Sequence, residues 1–258
     1  MATISVVLAT YNEEENLPSC LDSVKDLAKE IIIVDGGSKD KTVEIAKKYG
    51  ARVKLTDNPA IFHINKQKGI DMATKDWVLQ LDADEIVTPS LRDEIKDKIL
   101  NIKYKDINGY WIPRKNWFLG RFLMKGGQYP DYTLRLYRRG KGRLPQKTVH
   151  EQAKVIGEVG YLTSPLLHYP YKNFYSYLLK WGRYTDLLAS QIEEMLRSKS
   201  IVAKILYGFG YSLIKPIHWF LITYIRHKGF LDLWPGFVFS FFSALRFPVS
   251  YLKFIKIL

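Results

Sequence analysis

Two acidic side chains follow a short apolar run near residue 80 of this 258-residue chain. Asp82 and Asp84 come after residues 77–81 (WVLQL), and residues at i and i+2 of an extended segment point to the same side. Two carboxylates on one side supply the hard oxygen ligands that Mg²⁺ or Mn²⁺ binds together with phosphate oxygens. The spacing is compatible with a metal site. The alternative is that the acids belong to a turn before a helix whose N-cap is Thr88.

Two earlier apolar runs also end in polar residues. Residues 4–9 are followed by TYNE, and residues 30–34 are followed by DGGSKD. Asp35 can accept hydrogen bonds from a base or a ribose, since the adjacent glycines allow close backbone approach; it can equally bind its own turn. No GxGxxG or GxxxxGK[ST] sequence follows the first run, which argues against a dinucleotide site or a P-loop.

The elements that must position these residues alternate along the first 100 residues. β-branched runs predict strands, and apolar residues at helical spacing predict helices. The predicted strands are 4–9, 30–34, 51–55 and 77–81, and the predicted helices are 16–28, 41–49, 64–74 and 89–104. This alternation is typical of a parallel sheet covered on both faces. Ligands bind beyond the carboxyl ends of such strands, so the polar clusters are expected to meet at one edge.

The net charge of +13, from 39 Lys and Arg against 26 Asp and Glu, is unevenly distributed. It divides into −4 over residues 1–100, +10 over 101–198 and +7 over 199–258. A charged fraction of 25% with 14% aromatic residues excludes a disordered chain. A single cysteine excludes a disulfide framework. We expect no secretory signal, because no basic residue precedes the first apolar run.

The segments ATYNEEEN, IIIVDGGSKDKT and LDADE resemble the successive motifs of family 2 inverting glycosyltransferases with the GT-A fold. Many members carry a second acid where this chain has Gly36. The resemblance implies a UDP-sugar donor and a divalent metal, Mn²⁺ or Mg²⁺, on Asp84. The residues that it assigns to the nucleotide-sugar are Thr10, Tyr11, Asn12 and Glu13 at the uridine, Asp35 at the uracil, Lys66 near the diphosphate, and Asp82 and Ala83 near the ribose or sugar.

An inverting transferase needs a base that takes the proton of the acceptor hydroxyl. The acids between residues 101 and 160 are Asp106, Asp131, Glu151 and Glu158. The pattern PD…RLYRR…VHE resembles lipopolysaccharide-core β-1,4-glucosyltransferases of the same family, and the resemblance implies Asp131 as the base. Glu151 is the alternative base or an orienting group, and His150 is a candidate further metal ligand.

The middle of the chain predicts an irregular, partly antiparallel extension of the sheet, because short strands alternate with Gly and Pro. Arg135, Arg138 and Arg139 lie there and can bind donor phosphates or an anionic acceptor. We expect two regions: a GT-A catalytic domain over residues 1–172 and a helical region over residues 173–258. Within the catalytic domain, residues 1–105 are expected to bind the nucleotide and residues 106–172 to bind the acceptor.

The last 60 residues are apolar, aromatic and basic, with 8 basic residues and one acid. Their longest run without Asp, Glu, Lys or Arg, residues 233–245, has 13 residues, which is shorter than the ~18 that a membrane-spanning helix needs. We predict amphipathic helices on an anionic membrane surface, in preference to core packing alone. Pro216 is expected to bend or end one of them. No motif supports nucleic-acid binding.

The predicted fold is α/β: a GT-A domain, with a Rossmann-like, mostly parallel sheet and helices on both faces, and a C-terminal helical region that associates with membranes. The predicted function is metal-dependent single displacement of a sugar, expected to be glucose, from a UDP-sugar to a membrane glycolipid such as lipopolysaccharide core. The predicted location is the cytoplasmic face of the bacterial inner membrane, as a peripheral (monotopic) protein. Two alternatives stay open: a polyprenyl-phosphate glycosyltransferase, and a non-catalytic, membrane-docked nucleotide-binding module.

Overall fold

The chain forms two compact units in a computed structural model, which describes residues 2–59, 61–146 and 152–257. The first unit comprises Met1–Arg114 and Asp131–His168, and the second comprises Lys115–Pro130 and Tyr169–Leu258. The sequence-based boundary after residue 172 differs from this division mainly in residues 115–130, which join the second unit.

The first unit alternates strands and helices up to residue 100 and continues as strands. Its helices are α1 (Leu17–Val24), α2 (Thr42–Lys48), α3 (His63–Met72) and α4 (Pro89–Leu100). Its strands are β1 (Ile4–Thr10), β2 (Glu30–Asp35), β3 (Arg52–Leu55), β4 (Trp77–Leu81), β5 (Glu85–Val87), β6 (Ile107–Phe118, which continues into the second unit), β8 (Asp131–Arg138), β9 (Gly142–Arg143), β10 (Lys154–Val155), β11 (Glu158–Tyr161) and β12 (Leu166–His168).

The main sheet has the strand order β3-β2-β1-β4-β8-β6-β12-β5. The first four strands in this order are parallel, whereas β8 pairs antiparallel with both β4 and β6. This arrangement confirms the predicted α/β fold, with its parallel nucleotide-binding half and its antiparallel extension. All four strands and all four helices predicted over the first 100 residues are present, with ends that differ by a few residues.

Both faces of the parallel sheet are buried, which explains why its strands are almost continuously apolar. Val6 and Leu8 pack with α1 and α4 in one core, and the intervening Val7 packs with Ile70 of α3 in another. Helix α3 lies close to the sheet at Gly69, where a Cβ atom would come within 2.6 Å of the Val7 side chain. Because α3 carries Lys66, this close packing sets how near that lysine comes to the ends of the strands.

The helix that follows the acidic turn is capped as the sequence predicts. The Thr88 hydroxyl accepts a hydrogen bond from the backbone N–H of Leu91 at 3.2 Å, and Pro89 occupies the first turn of α4. The same hydroxyl lies 2.9 Å from the carbonyl oxygen of Pro165, to which it donates. The cap therefore fixes the start of α4 and also holds the loop before β12.

The second unit is helical and contains a short strand, β7 (Arg121–Phe122), paired with the end of β6. Its helices are α5 (Phe174–Leu196), α6 (Ile201–Phe209), α7 (Lys215–Phe220) and α8 (Leu233–Ile257). Asp232, the single acid of the last 60 residues, is buried. It accepts hydrogen bonds from the backbone of Met124 at 2.9 Å and of Lys125 at 2.7 Å. The segment after β7 is thereby fixed to the residue that precedes α8.

Helical backbone continues from residue 201 to residue 226, because π-helical segments, Gly210–Ile214 and Leu221–Arg226, follow α6 and α7. Of the two outcomes expected at Pro216, a bend or an end, the end of the helix is therefore wrong. A π-helical segment ends at Ile214, two residues before this proline, and Lys215 N–H donates to the carbonyl of Gly210, five residues back. The wider turn accommodates a residue that cannot donate to the usual i−4 carbonyl.

One helix in the described residues of the chain, residues 229–256, is long and apolar enough to cross a membrane by length and composition alone. This is weak evidence, because a core helix passes the same test. Within the second unit, Phe247 and Phe254 of this helix are buried against Ala189 and Ile192 of α5. These aromatic side chains pack in the core of the second unit, but only 28% of the apolar window of the helix is buried.

Candidate active site

Two loops at the carboxyl ends of β1 and β2 are joined by side-chain hydrogen bonds. The Thr10 hydroxyl donates to Oδ2 of Asp35 at 2.9 Å, and the Ser38 hydroxyl donates to the same oxygen at 2.6 Å. Backbone N–H groups of Gly37 and Ser38 donate to Oδ1 at 3.0 and 2.8 Å. Asp35 is fully buried, and its carboxylate organises this loop, the turn-binding role that the sequence left open.

The residues after β1 divide into loop-forming and exposed ones. Asn12 has a positive φ of 55°, and its Oδ1 accepts the backbone N–H of Lys39 at 2.8 Å. Glu13 N–H donates to the Thr42 hydroxyl at 2.8 Å. Tyr11, in contrast, is 42% exposed. Among the residues predicted at the uridine, Tyr11 presents a ring on which a base can stack, and Asn12 holds the loop in shape.

Gly36, which stands where many members of the family named by the resemblance carry an acid, is closely approached by a neighbouring segment. A Cβ atom at this position would lie 3.0 Å from Cβ of Asn58, in the segment after β3. Such a separation is tighter than most real Cβ contacts, so Asn58 would have to move by a few tenths of an ångström. Asn58 therefore occupies space that a larger residue at position 36 would need, and Asn58 is itself exposed.

The acidic segment after β4 is a turn. Residues 83–84 have turn geometry, and Glu85 N–H donates to the Asp82 carbonyl at 3.0 Å. The expectation that Asp82 and Asp84 share one side of an extended segment is therefore wrong, because the i, i+2 rule holds only for extended backbone. The carboxylates of Asp82 and Asp84 have different partners.

Asp82 is held between two cations. Its Oδ1 pairs with the ammonium of Lys66, which is buried and lies 4.6 Å from the Phe62 ring. Its Oδ2 pairs with Nη2 of Arg135 at 2.6 Å. Burial alone would raise the pKa of Asp82, but Arg135 and Lys66 outweigh burial and hold the pKa well below its ordinary value. Burial lowers the pKa of Lys66, against the opposing effect of Asp82.

The buried Glu85 extends this contact into a network. Its Oε1 lies 2.7 Å from Nη2 of Arg135 and 3.3 Å from Nη1 of Arg114. Arg114 in turn donates to Oδ2 of Asp131 at 2.7 and 3.0 Å. Three acidic side chains thus alternate with three cationic ones, in the order Lys66, Asp82, Arg135, Glu85, Arg114 and Asp131. Burial would lower the pKa of Arg135, but Asp82 and Glu85 raise it above its ordinary value.

Strand pairing explains why Asp131 reaches this network. β8 runs antiparallel to β4, so its first residues lie at the carboxyl end of β4. Asp131 is the first residue of β8 and is directly opposite Arg114 of β6 in the ladder. Its side chain is 34% exposed. A partly exposed carboxylate, fixed by a guanidinium, therefore lies at the edge where the parallel strands end.

We expect Arg135→Met to destabilise the protein by about 3–5 kcal/mol, because it leaves the buried Glu85 and the partly buried Asp82 without their shared cation. The free energy of unfolding from urea titration measures this loss. Arg139→Gln is the matched control, since Arg139 is exposed at the end of the same strand, and its effect is expected to stay below about 1 kcal/mol. Equal effects for the two variants would contradict the network.

The ion pair between Asp82 and Arg135 predicts how the free energy of unfolding depends on pH. The pKa of Asp82 is lower in the folded protein than its ordinary value. Asp82 therefore stabilises the fold at neutral pH, and this contribution declines as the pH falls below about 4 towards the folded-state pKa. The stability difference between the wild type and Arg135→Met, measured from pH 7 to pH 3, should accordingly shrink at the acid end.

Asp84 lies beside an imidazole and outside the network. Its Oδ2 is 3.5 Å from Nε2 of His168, and the two side chains are 22% and 14% exposed. The contact arises because β12 pairs antiparallel with β5, with His168 opposite Glu85. A carboxylate oxygen and an imidazole nitrogen are both metal ligands. They fit a divalent metal that takes its remaining ligands from a diphosphate and water; the described residues contain no group of three side chains that could hold a metal by themselves.

Several predicted residues take other positions or cannot be placed. His150 and Glu151 lie outside the described residues, so their roles stay predictions. Arg138 donates to the backbone carbonyls of Ile107 and Lys105, at 3.1 and 2.8 Å. Ala83 is buried in the turn. Of Arg135, Arg138 and Arg139, Arg135 alone joins the carboxylates described above.

Three residues of the site were missed by the sequence analysis: Glu85, Arg114 and His168. Glu85 directly follows the acidic pair in LDADE, and an acid at the start of a buried strand is a signal that it needs a cationic partner. His168 carries no such local signal. It lies 84 residues from Asp84 in sequence, and only the antiparallel pairing of β5 with β12 brings the two together.

Comparison with known proteins agrees with this geometry. The family described as Glycosyl transferase family 2 matches residues 5–149. The lipopolysaccharide core biosynthesis glycosyltransferase LpsC of Rhizobium meliloti is 30% identical over 94% of this chain and 91% of its own length. An uncharacterized glycosyltransferase of Rickettsia typhi is 39% identical over 97 residues, which are 37% of this chain and 32% of that protein.

Among solved structures, S. aureus TarS is similar in fold, with a TM-score of 0.50 at 18% identity. The match covers 95% of this chain, which spans about half (54%) of TarS. The sheet topology and this likeness establish a GT-A fold. The family match over more than half of the chain, together with the similarity to LpsC, goes further: the chain belongs to glycosyl transferase family 2.

Proposed function

We propose that the protein is an inverting, metal-dependent transferase that moves a sugar from a UDP-sugar to a glycolipid at a membrane surface. The observation that carries the proposal is the convergence of Asp131, of the Asp84–His168 contact and of the joined β1 and β2 loops at the carboxyl edge of one sheet. The family and the relation to LpsC, whose name places it in lipopolysaccharide core biosynthesis, support this choice of reaction and acceptor. Glucose remains the expected sugar.

On the acceptor side, the proposed base is Asp131. Its Oδ2 is held by two donors of Arg114, and this contact fixes the carboxylate at the edge of the sheet. The acceptor hydroxyl gives its proton to the carboxylate as its oxygen attacks the anomeric carbon from the side opposite UDP. The new glycosidic bond forms as the bond to the diphosphate breaks, so the anomeric configuration inverts.

On the donor side, Asp84 and His168 are the proposed ligands of Mn²⁺ or Mg²⁺, since they converge within 3.5 Å. A divalent metal, when bound there, supplies positive charge to the diphosphate leaving group. Tyr11 stacks on the uracil in this proposal. Lys66 is engaged with Asp82, so we assign it to fixing Asp82 for contact with the ribose or sugar.

The membrane contact in this proposal is supported by an exposed apolar face on the helix of residues 201–226. Six apolar side chains recur at intervals of four residues, and each is at least half exposed: Ile205, Phe209, Leu213, Ile217, Leu221 and Ile225. A step of four exceeds the 3.6 residues of an α-helical turn, so such a row would wind around the helix. The wider π-helical turns oppose this winding. No acid lies between Glu194 and Asp232, and this favours anionic headgroups.

We expect the double variant Phe209→Glu/Ile217→Glu to lose most of its binding to vesicles that contain phosphatidylglycerol, because two charges replace apolar contacts with the bilayer. Flotation of the full chain with such vesicles measures the loss. Leu55→Glu/Ile102→Glu is the matched control, since both residues are exposed and apolar in the first unit. Unchanged flotation of the first variant would contradict this face as the membrane contact.

The reaction is tested by a UDP-release screen. The full chain is incubated with a panel of UDP-sugars and Mn²⁺ or Mg²⁺, with and without a bacterial lipid extract. The proposal predicts that one UDP-sugar releases UDP, and that the lipid extract raises the rate. Binding of UDP without release from any UDP-sugar would favour the non-catalytic nucleotide-binding module.

A further inference from the structure

A pocket lined by aromatic side chains and two cations lies within the helical unit, between α5 and α8. It has a volume of about 240 Å³, and its lining includes Tyr177, Lys180, Trp181 and Tyr184 of α5 with Phe239 and Arg246 of α8. Pockets for drug-sized ligands have volumes of about 300–1,000 Å³. The pocket is therefore suited to a small group and is too small for a nucleotide-sugar.

The guanidinium of Arg246 is surrounded by aromatic rings. Its central carbon lies 4.8 Å from the ring centres of Trp219 and Phe247 and 5.9 Å from that of Tyr184. Its Nε atom is buried without a hydrogen bond, and no acid among the described residues forms an ion pair with this arginine. Asp186, the acid in the middle of α5, is bound by Lys253 at 2.5 Å.

A second cation, Lys215, lies against the same aromatic ring as Arg246. The ammonium of Lys215 lies 4.8 Å from the same Phe247 ring and 4.6 Å from the Tyr211 ring. Burial lowers the pKa of Lys215, and the charge of Arg246 lowers it further. On the pocket wall, Lys180 is fixed by donating to the Pro170 carbonyl at 2.6 Å. Positive charge is thus concentrated here without a carboxylate partner among the contacts described.

A partly buried cation without a counter-charge is costly, and cation–π contacts with rings offset only a fraction of that cost. Arginine presents planar N–H donors that match phosphate oxygens, and lysine adds a second point charge. We propose that this pocket binds the phosphate of a small phosphorylated group, either free in solution or as the headgroup of a phospholipid. This site is separate in its residues from the proposed transferase site.

Isothermal titration calorimetry of the full chain tests the proposal with two probes: inorganic phosphate, and a short-chain phosphatidylglycerol kept below its critical micelle concentration. We expect the wild type to bind at least one probe, and Arg246→Gln to weaken that binding by about 10-fold or more, as for the loss of hydrogen bonds to a charged group. Arg246→Lys, which keeps the charge, is expected to retain some of the affinity.

The matched control is Arg197→Gln, because Arg197 is an exposed arginine of the same unit. Circular dichroism confirms that each variant is folded, and Lys180→Gln provides a second test should Arg246→Gln unfold. Binding of both probes with similar affinity identifies free phosphate as a sufficient ligand, and binding of the lipid alone identifies a headgroup. Absence of binding to the wild type, or equal affinity in Arg246→Gln and Lys180→Gln, overturns the proposal. The assay contains no nucleotide, so its failure leaves the sugar-transfer proposal unaffected.

Discussion

Replacement of Asp84 by alanine is expected to lower the rate of UDP release by about 1,000-fold with the fold retained. A metal at a diphosphate leaving group contributes several kcal/mol to transition-state stabilisation, and each 1.36 kcal/mol corresponds to a factor of ten in rate. The side chain of Asp84 is partly exposed, and its described contact is with His168. It does not belong to the buried network, so its removal leaves that network in place.

The controls for this variant separate metal binding from general loss of charge. Asp106→Ala removes an exposed acid of the same unit and is expected to be as active as the wild type. His168→Ala is expected to lose less activity than Asp84→Ala and to need a higher metal concentration for half-maximal activity. Full activity of Asp84→Ala in the presence of a chelator would contradict the metal assignment.

The second large effect is expected at Asp131. Asp131→Asn should reduce sugar transfer by about 100- to 10,000-fold, the range over which positioned acid–base groups act, because an amide cannot take the acceptor proton. Binding of the UDP-sugar should be unchanged, since the substitution preserves the size of the side chain. Calorimetric binding of the UDP-sugar, measured beside the transfer rate, distinguishes loss of the base from loss of the donor site.

Glu151→Gln, assayed in parallel, decides between the two candidate bases. If Asp131→Asn stays active and Glu151→Gln does not, Glu151 is the base and the assignment of Asp131 is wrong. If both variants retain full activity, no hydroxyl needs deprotonation, and this result supports transfer to a polyprenyl phosphate. Asp106→Asn serves as the control, since it makes the same chemical change at an exposed position.

The nucleotide-binding half could be predicted from the sequence because its signals are local. Strands β1, β2 and β4 are buried on both faces, so each is a continuous apolar run, and the polar residues begin where each strand ends. The cap of α4 by Thr88 follows from a short pattern of residue types. These features depend on neighbours within a few residues.

The side-chain contacts at the carboxyl edge of the sheet could not be predicted in the same way, because the residues that meet there are distant in sequence. Asp82 meets Arg135, and Asp84 meets His168, through strand pairings that no periodicity reveals. The turn at residues 83–84 also reverses the simple expectation for an Asp-x-Asp pair. Asp35 was predicted at the uracil. Its buried carboxylate accepts hydrogen bonds from its own loop, a role that the sequence left open, and its contact with a base stays a prediction.

The measurement that tests the central proposal most directly is transfer of radiolabelled sugar from a UDP-sugar into the lipid-extractable fraction. The full chain is incubated with a bacterial lipid extract and Mn²⁺, with a chelator and the Asp84→Ala variant as controls. The proposal predicts label in the lipid fraction that disappears with the chelator and in the variant. Release of UDP without label in lipid, or label that persists in both controls, would contradict it.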